Sequence, residues 1–134
     1  MADECTLILE VEPAISFIAG STSIEKGAVL TMTSPLTAAL TTTDTAIVAG
    51  IAQSEKITGD LAVAVYRRGF FTGVAGVAGV TVGEAIITDA TTSSTNRLVD
   101  ADVNSEQLVG ICLETASSGV RFAFELGPRA VDLA

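Results

Sequence analysis

An all-β domain assembled from two copies of one strand-turn-strand unit is what the sequence predicts, and two observations carry the prediction. The first is internal repetition. Val48-Ala49-Gly50-Ile51-Ala52 leads through a polar stretch to Gly59 and into Leu61-Ala62-Val63-Ala64-Val65, while Leu108-Val109-Gly110-Ile111-Cys112 leads through a polar stretch of the same length to Gly119 and into Val120-Arg121-Phe122-Ala123-Phe124. Upstream, Ile24-Glu25-Lys26-Gly27-Ala28-Val29-Leu30 matches Val80-Thr81-Val82-Gly83-Glu84-Ala85-Ile86. A repeat of about sixty residues indicates a duplicated supersecondary unit whose apolar face one copy cannot cover alone. The second observation is composition: the apolar half of the chain is mostly Ala, Val, Ile and Leu, with five Phe, one Tyr and no Trp. That suits thin, closely spaced β layers better than a bulky core.

In chain order, Thr6 to Glu12 alternates, with Leu7, Leu9 and Val11 on one side, until Pro13 interrupts. This predicts a half-buried edge strand or an arm, and such a strand adds to a sheet either within the domain or on a partner protein. Ile15 to Ala19 reads as a second strand ended by Gly20-Ser21, and Ala28 to Thr33 as a third ended by Ser34-Pro35. Leu36 to Asp44 is Thr-rich without a period and reads as a loop, with room for one helical turn after Pro35. Strand character resumes at Ala46.

After Leu61–Tyr66 come Arg67-Arg68-Gly69-Phe70-Phe71 and then Gly73-Val74-Ala75-Gly76-Val77-Ala78-Gly79, which reads as a flexible connection between the repeats. Thr91 to Asn96 and Asp100 to Gln107 read as polar loops, and the tail from Gly127 to Ala134 is expected to leave the last strand. The division is an N-terminal arm over residues 1–14 and one β domain over 15–134, with the repeat at about 24–69 and 80–126.

At 134 residues the chain is sized for one domain able to bury about two thirds of its unfolded surface. Sixteen acidic against seven basic residues give a formal charge of −9, a field that repels phosphate backbones, so no direct nucleic-acid binding is expected. With no His, neither a zinc site of the usual kind nor a His-based dyad is available. Cys5 and Cys112 lie far apart, and Cys112 reads as a buried reduced thiol in the place of Ala52. The longest apolar runs fall far short of the roughly twenty residues that span a bilayer, and the acidic N-terminus lacks a basic leader, so a soluble, unexported chain without membrane partners is expected.

Sites of chemistry are scarce. Asp100 to Glu106 places oxygen-bearing side chains at alternate positions like the start of a calcium loop, but lacks the Gly at the sixth position and has Ile111 where the bidentate Glu belongs. Carboxylate pairs such as Glu55 with Asp60 and Glu84 with Asp89 read as solvent-facing turns. No Ser lies in a nucleophile elbow. No enzyme, cofactor or metal is expected. Gly50, Gly59, Gly110 and Gly119 read as turn glycines matched between the repeats. Arg67 and Arg68, the only adjacent basic pair, are either a solvated strand end or one side of an interface. Phe70 and Phe71 favour the interface, since one of two consecutive strand residues faces away from its own core. The candidate interface is therefore Leu7, Leu9, Val11, Arg67, Arg68, Phe70 and Phe71.

The order Val48-Ala49-Gly50-Ile51-Ala52, polar loop, Ala62-Val63-Ala64-Val65-Tyr66-Arg67-Arg68-Gly69-Phe70-Phe71 resembles the head decoration, or cement, proteins of tailed bacteriophages, the lambda-like decoration protein group. Val109-Gly110-Ile111-Cys112-Leu113-Glu114-Thr115-Ala116-Ser117-Ser118-Gly119 resembles the ending of many capsid-associated proteins of similar length. The resemblance covers Ile15 to Leu126. It implies a small β-tulip or β-clip-like barrel that forms a homotrimer on the outer face of an icosahedral head at three-fold and quasi-three-fold positions, bridging major capsid proteins against the pressure of packed DNA. The longer N-terminal strand and the clearer duplication depart from the lambda-like pattern. Two other classes compete: an enzyme on a trimeric β-clip scaffold, which needs an Asp-bearing phosphate and metal motif that is missing, and a surface-displayed small-ligand or glycan-binding β module, which usually presents Trp or Tyr platforms.

Overall fold

In the computed structural model of the chain, residues 3–20, 23–41, 47–57, 59–89, 96–101 and 107–130 are described. They form eleven strands and no helix: β1 (Thr6–Glu10), β2 (Ile15–Ala19), β3 (Val29–Ser34), β4 (Thr37–Leu40), β5 (Val48–Ala52), β6 (Ala62–Tyr66), β7 (Gly69–Val74), β8 (Ala85–Thr88), β9 (Leu98–Asp100), β10 (Gln107–Cys112) and β11 (Arg121–Ala130). Strands β2-β4-β3-β5-β6 close into a barrel, and the other six form a sheet in the order β1-β7-β11-β10-β8-β9. The fold is a small all-β barrel with a second sheet.

The repetition in sequence is a repetition of pairing. Strand β3 pairs with β5 through Leu30 and Gly50, and β8 with β10 through Ile86 and Gly110. Strand β5 pairs with β6 through Ala52 and Val65, and β10 with β11 through Cys112 and Phe124. Strands β2 and β6 match β7 and β11, with Ser16 beside Ala64 in one and Thr72 beside Ala123 in the other. Even the parallel contact that closes the barrel, Ala19 with Ala38, has its counterpart in a bridge between Ala75 and Leu98. Each unit thus begins one strand earlier than the sequence repeat suggests.

Period-two alternation explains where the core sits. Phe17, Leu30, Ala49 and Val63 fill the barrel. Their neighbours Val29 and Val48 point the other way, as does Ile51 past the register shift beside Gly50, and they join Phe71, Phe122, Phe124 and Leu126 of the second sheet. Strand β5 is therefore buried along its whole length. Phe71 stacks on Phe124 at 6.0 Å and meets Tyr66 edge-on at 5.7 Å.

Four expectations are corrected here. Part of the segment read as a loop after Pro35 is strand β4, held on both sides by β3 and β2, so pairing overrides the missing period. The run from Gly73 to Gly79 is not slack: Gly73 and Val74 complete β7, Gly76 packs against Asp89, and Gly79 closes a turn onto Gly76. The tail does not leave the last strand at Gly127, because β11 runs on to Ala130 opposite Gln107. An irregularity between Leu108 and Gly110 lets the strand pass Pro128, which has no N–H for a regular ladder. Finally, Gly50 and Gly110 are not turn residues but lie inside β5 and β10, where a Cβ would collide with the backbone carbonyls of Tyr66 and Glu125. Gly59 (φ +102°) and Gly119 (φ +81°) do sit in tight turns, closed by Asp60 N–H to Ile57 and Val120 N–H to Ser117. Most of the oxygen-rich segment after Asp100, and of the loop after Thr91, lies outside the described residues.

Candidate interaction surface

Strand β1 is an edge. It runs antiparallel to β7, pairing Thr6 with Thr72, Leu7 with Phe71, Leu9 with Phe70 and Glu10 with Gly69. All five of its residues are exposed, so the expected half-buried alternation is replaced by a strand wet on both faces. Leu9 is 58% exposed, and Ile8, which alternation assigned to the polar side, is as open. Val11 follows the strand and is exposed as well.

This edge is held firmly at its start. Asn96, buried ahead of β9, accepts from Val29 N–H at 2.6 Å and donates to the carbonyls of Asp3 at 2.7 Å and Gly27 at 3.1 Å. Cys5 N–H donates to Gly27. Arg97 pairs with Asp3 at 3.3 Å, and Arg121 donates to the Glu4 carbonyl at 2.9 Å. Nothing in the sequence alone marks Asn96 apart from other loop asparagines, so this clamp was not foreseeable.

Arg67 and Arg68 form the connection from β6 to β7. Together with Glu12, Glu125 and Ile111 they line an open groove of about 510 Å³ whose floor includes Gly110. The groove's mixed charge and apolar lining suit a protein surface, where Arg pairs with carboxylates at an interface. A second groove of about 620 Å³ lies along β1, lined by Glu4, Leu7, Lys26 and Gln53 among others.

The seven interface candidates therefore gather along one ladder and the connection leading into it, with one correction. Phe71 is only 1% exposed and belongs to the aromatic core, because β7 turns it inward against Tyr66 and Phe124. Phe70, half-buried, faces the other way beside Leu9. No group of three or more metal-binding side chains occurs among the described residues.

Burial pushes the Cys5 thiol up to about 12, with the Glu4 carboxylate adding to the rise and the Arg121 guanidinium opposing it. Burial raises Cys112 as well, with a backbone hydrogen bond at Glu114 opposing the rise, and its S–H donates to the Glu114 carbonyl at 3.0 Å. Both thiols are free and buried, so neither is expected to react with iodoacetamide at pH 8 until the protein unfolds, which mass spectrometry of the native and urea-treated protein checks. Because the folded state holds the Cys5 proton more tightly than the unfolded state, its contribution is intact below about pH 9 and is lost progressively between pH 9 and 12.

No curated protein sequence matches the chain. Among solved structures, the chain is similar to the one titled the crystal structure of head fiber gp8.5 N base in bacteriophage phi29, at 19% identity and a TM-score of 0.55, with 89% of this chain and 97% of that one covered. At that identity the likeness speaks for the fold. The family profile described as phage cement protein matches residues 13–126, from ahead of β2 to within β11, and the chain belongs to that family.

Proposed function

We propose that the protein cements the outer face of an icosahedral phage head as a homotrimer, at three-fold and quasi-three-fold positions, bridging neighbouring major capsid proteins and stabilising the DNA-filled shell. Membership of the cement family supports a capsid-associated structural role. The observation that carries the finer reading is the exposed edge strand β1 set beside the Arg67-Arg68 groove. An open edge offers main-chain hydrogen bonds, exposed Leu and Ile offer apolar area, and two guanidinium groups offer bidentate partners for shell carboxylates. Burying the side chains of Ile8, Leu9 and Val11 at a contact contributes about 25 cal/mol per Å². Three such contacts in one trimer multiply a weak attachment into a durable one.

A ligand-binding module gains no support from the aromatic residues. The single Tyr, Tyr66, is buried in the core, and the chain has no Trp.

The test combines size-exclusion light scattering of the purified chain with electron microscopy of expanded, genome-free heads mixed with it. A trimer that gives ordered density at three-fold positions is expected. The double change Arg67→Glu with Arg68→Glu is expected to leave the thermal midpoint unchanged and to weaken head binding by about tenfold or more, the scale of an interface charge reversal. A stable monomer that never binds heads overturns the reading.

A further inference from the structure

The two units differ in one respect that their shared pairing exposes. In the second unit, β7 carries β11 on one side and, on the other, first β1 and then the start of β9. In the first unit, β2 carries β6 on one side and β4 on the other, but β4 reaches only Ile18 and Ala19. The N-terminal half of β2 has no strand beside it on that side among the described residues.

The hydrogen-bonding phase fixes what that leaves open. Ile18 N–H donates to Leu36 and Gly20 N–H to Ala38, both on the β4 side, so alternate residues face that way and Ser16 turns its N–H and carbonyl to the open edge. Gly76 N–H donates to Leu98 in the equivalent place, and there the residue matching Ser16 is Thr72, which Thr6 of β1 pairs. The border of that edge is apolar: Ile15 and Leu36 are exposed and Ile18 is 58% exposed. Ile18 N–H donates to Leu36, which places Leu36 at the end of that edge, whereas Ala19 N–H donates to Leu61 on the β6 side of the strand.

We infer that the open edge of β2 at Ser16 is a strand-addition site, filled by an extended segment of the shell protein that runs antiparallel to β2 as β1 runs antiparallel to β7. The inference rests on the cement reading and names the second contact through which the protein holds the shell. The chain itself displays the occupant's chemistry: the strand in the matching position is Thr6-Leu7-Ile8-Leu9-Glu10, short, extended and apolar. A second copy's β1 does not serve, because Asn96, Arg97 and Arg121 tie the start of β1 to its own chain. The net charge of −9 favours a docked segment with basic flanks.

Hydrogen exchange read by mass spectrometry on the full chain, free and bound to expanded heads, tests this. Peptides covering 14–19 are expected to exchange at least tenfold more slowly when bound. Ile18→Lys, at an exposed position, is expected to keep the thermal midpoint and lose about tenfold in head binding. Binding to heads without protection of 14–19 overturns the strand-addition site while leaving the cement role standing. Protection in the free protein that rises with its concentration assigns the edge to a second copy and overturns it too. A chain that binds no heads at all overturns both.

Discussion

Gly110→Ala is expected to destabilise the protein by about 3 kcal/mol or more, and in practice to yield little folded material, because no side chain fits where β10 passes β11. A Cβ at that position collides with the Glu125 carbonyl, whose backbone is held between Ile111 and Phe70 in the middle of the sheet. A flexible side chain moves aside; a paired strand does not. Gly50→Ala in the first unit is expected to behave alike, with the Tyr66 carbonyl in the way and a φ of +147° that disfavours any side chain. Gly59→Ala and Gly119→Ala are the controls. Nothing lies within 4 Å of a Cβ at either, so the loss is limited to turn strain, about 1 kcal/mol. Urea unfolding followed by circular dichroism checks all four, and a Gly110→Ala protein as stable as Gly119→Ala sinks the close-approach account.

Asn96→Ala is expected to cost about 2–4 kcal/mol, since it orphans the buried N–H of Val29 and removes the donor to two carbonyls. One acceptor and two donor contacts use the amide in a single orientation. Asn96→Asp is therefore expected to be no better than alanine: it keeps an acceptor for Val29 but sets a carboxylate against the carbonyls of Asp3 and Gly27. The ion pairs of Arg97 and Arg121 with the same segment are partly exposed and weaker by comparison. Chemical denaturation of both variants, with exchange rates of the β1 amides as a local readout, decides the matter. A loss below about 0.5 kcal/mol in Asn96→Ala, the range of an ordinary surface change, contradicts the clamp.

What was legible in the sequence follows from period and repetition. The two copies of Gly-Ile, polar loop and Gly announced β5-β6 and β10-β11, and the alternation of Thr6 to Glu12 announced β1. Strands β4 and β9 were not legible, because four residues of Thr-Ala-Ala-Leu and three of Leu-Val-Asp are too short to show a period and owe their form to neighbours on the sheet. The matched glycines were found but misread: identity at Gly50 and Gly110 signalled a crossing of backbones, which local sequence does not distinguish from a turn. Of the interface candidates, Leu9 and Arg68 lie exposed and Arg67 half-buried, whereas Phe71 is buried, because alternation alone leaves open which of two adjacent phenylalanines turns in. The exposure of Ile18 follows from the same alternation, once Phe17 is known to point into the barrel.

The clamp on β1 also bears on how the chain is made. Thr6 waits for Thr72, and Asp3 for Asn96, a separation of 93 residues. At translation rates of about 5–20 residues per second, the most apolar edge of the protein spends on the order of ten seconds without its partner strand. Contacts this distant in sequence make for slow folding and leave that edge exposed to stray association. Glu10 and Glu12, which end the apolar stretch, and the negative charge of the whole chain are the features that keep nascent copies apart during that interval.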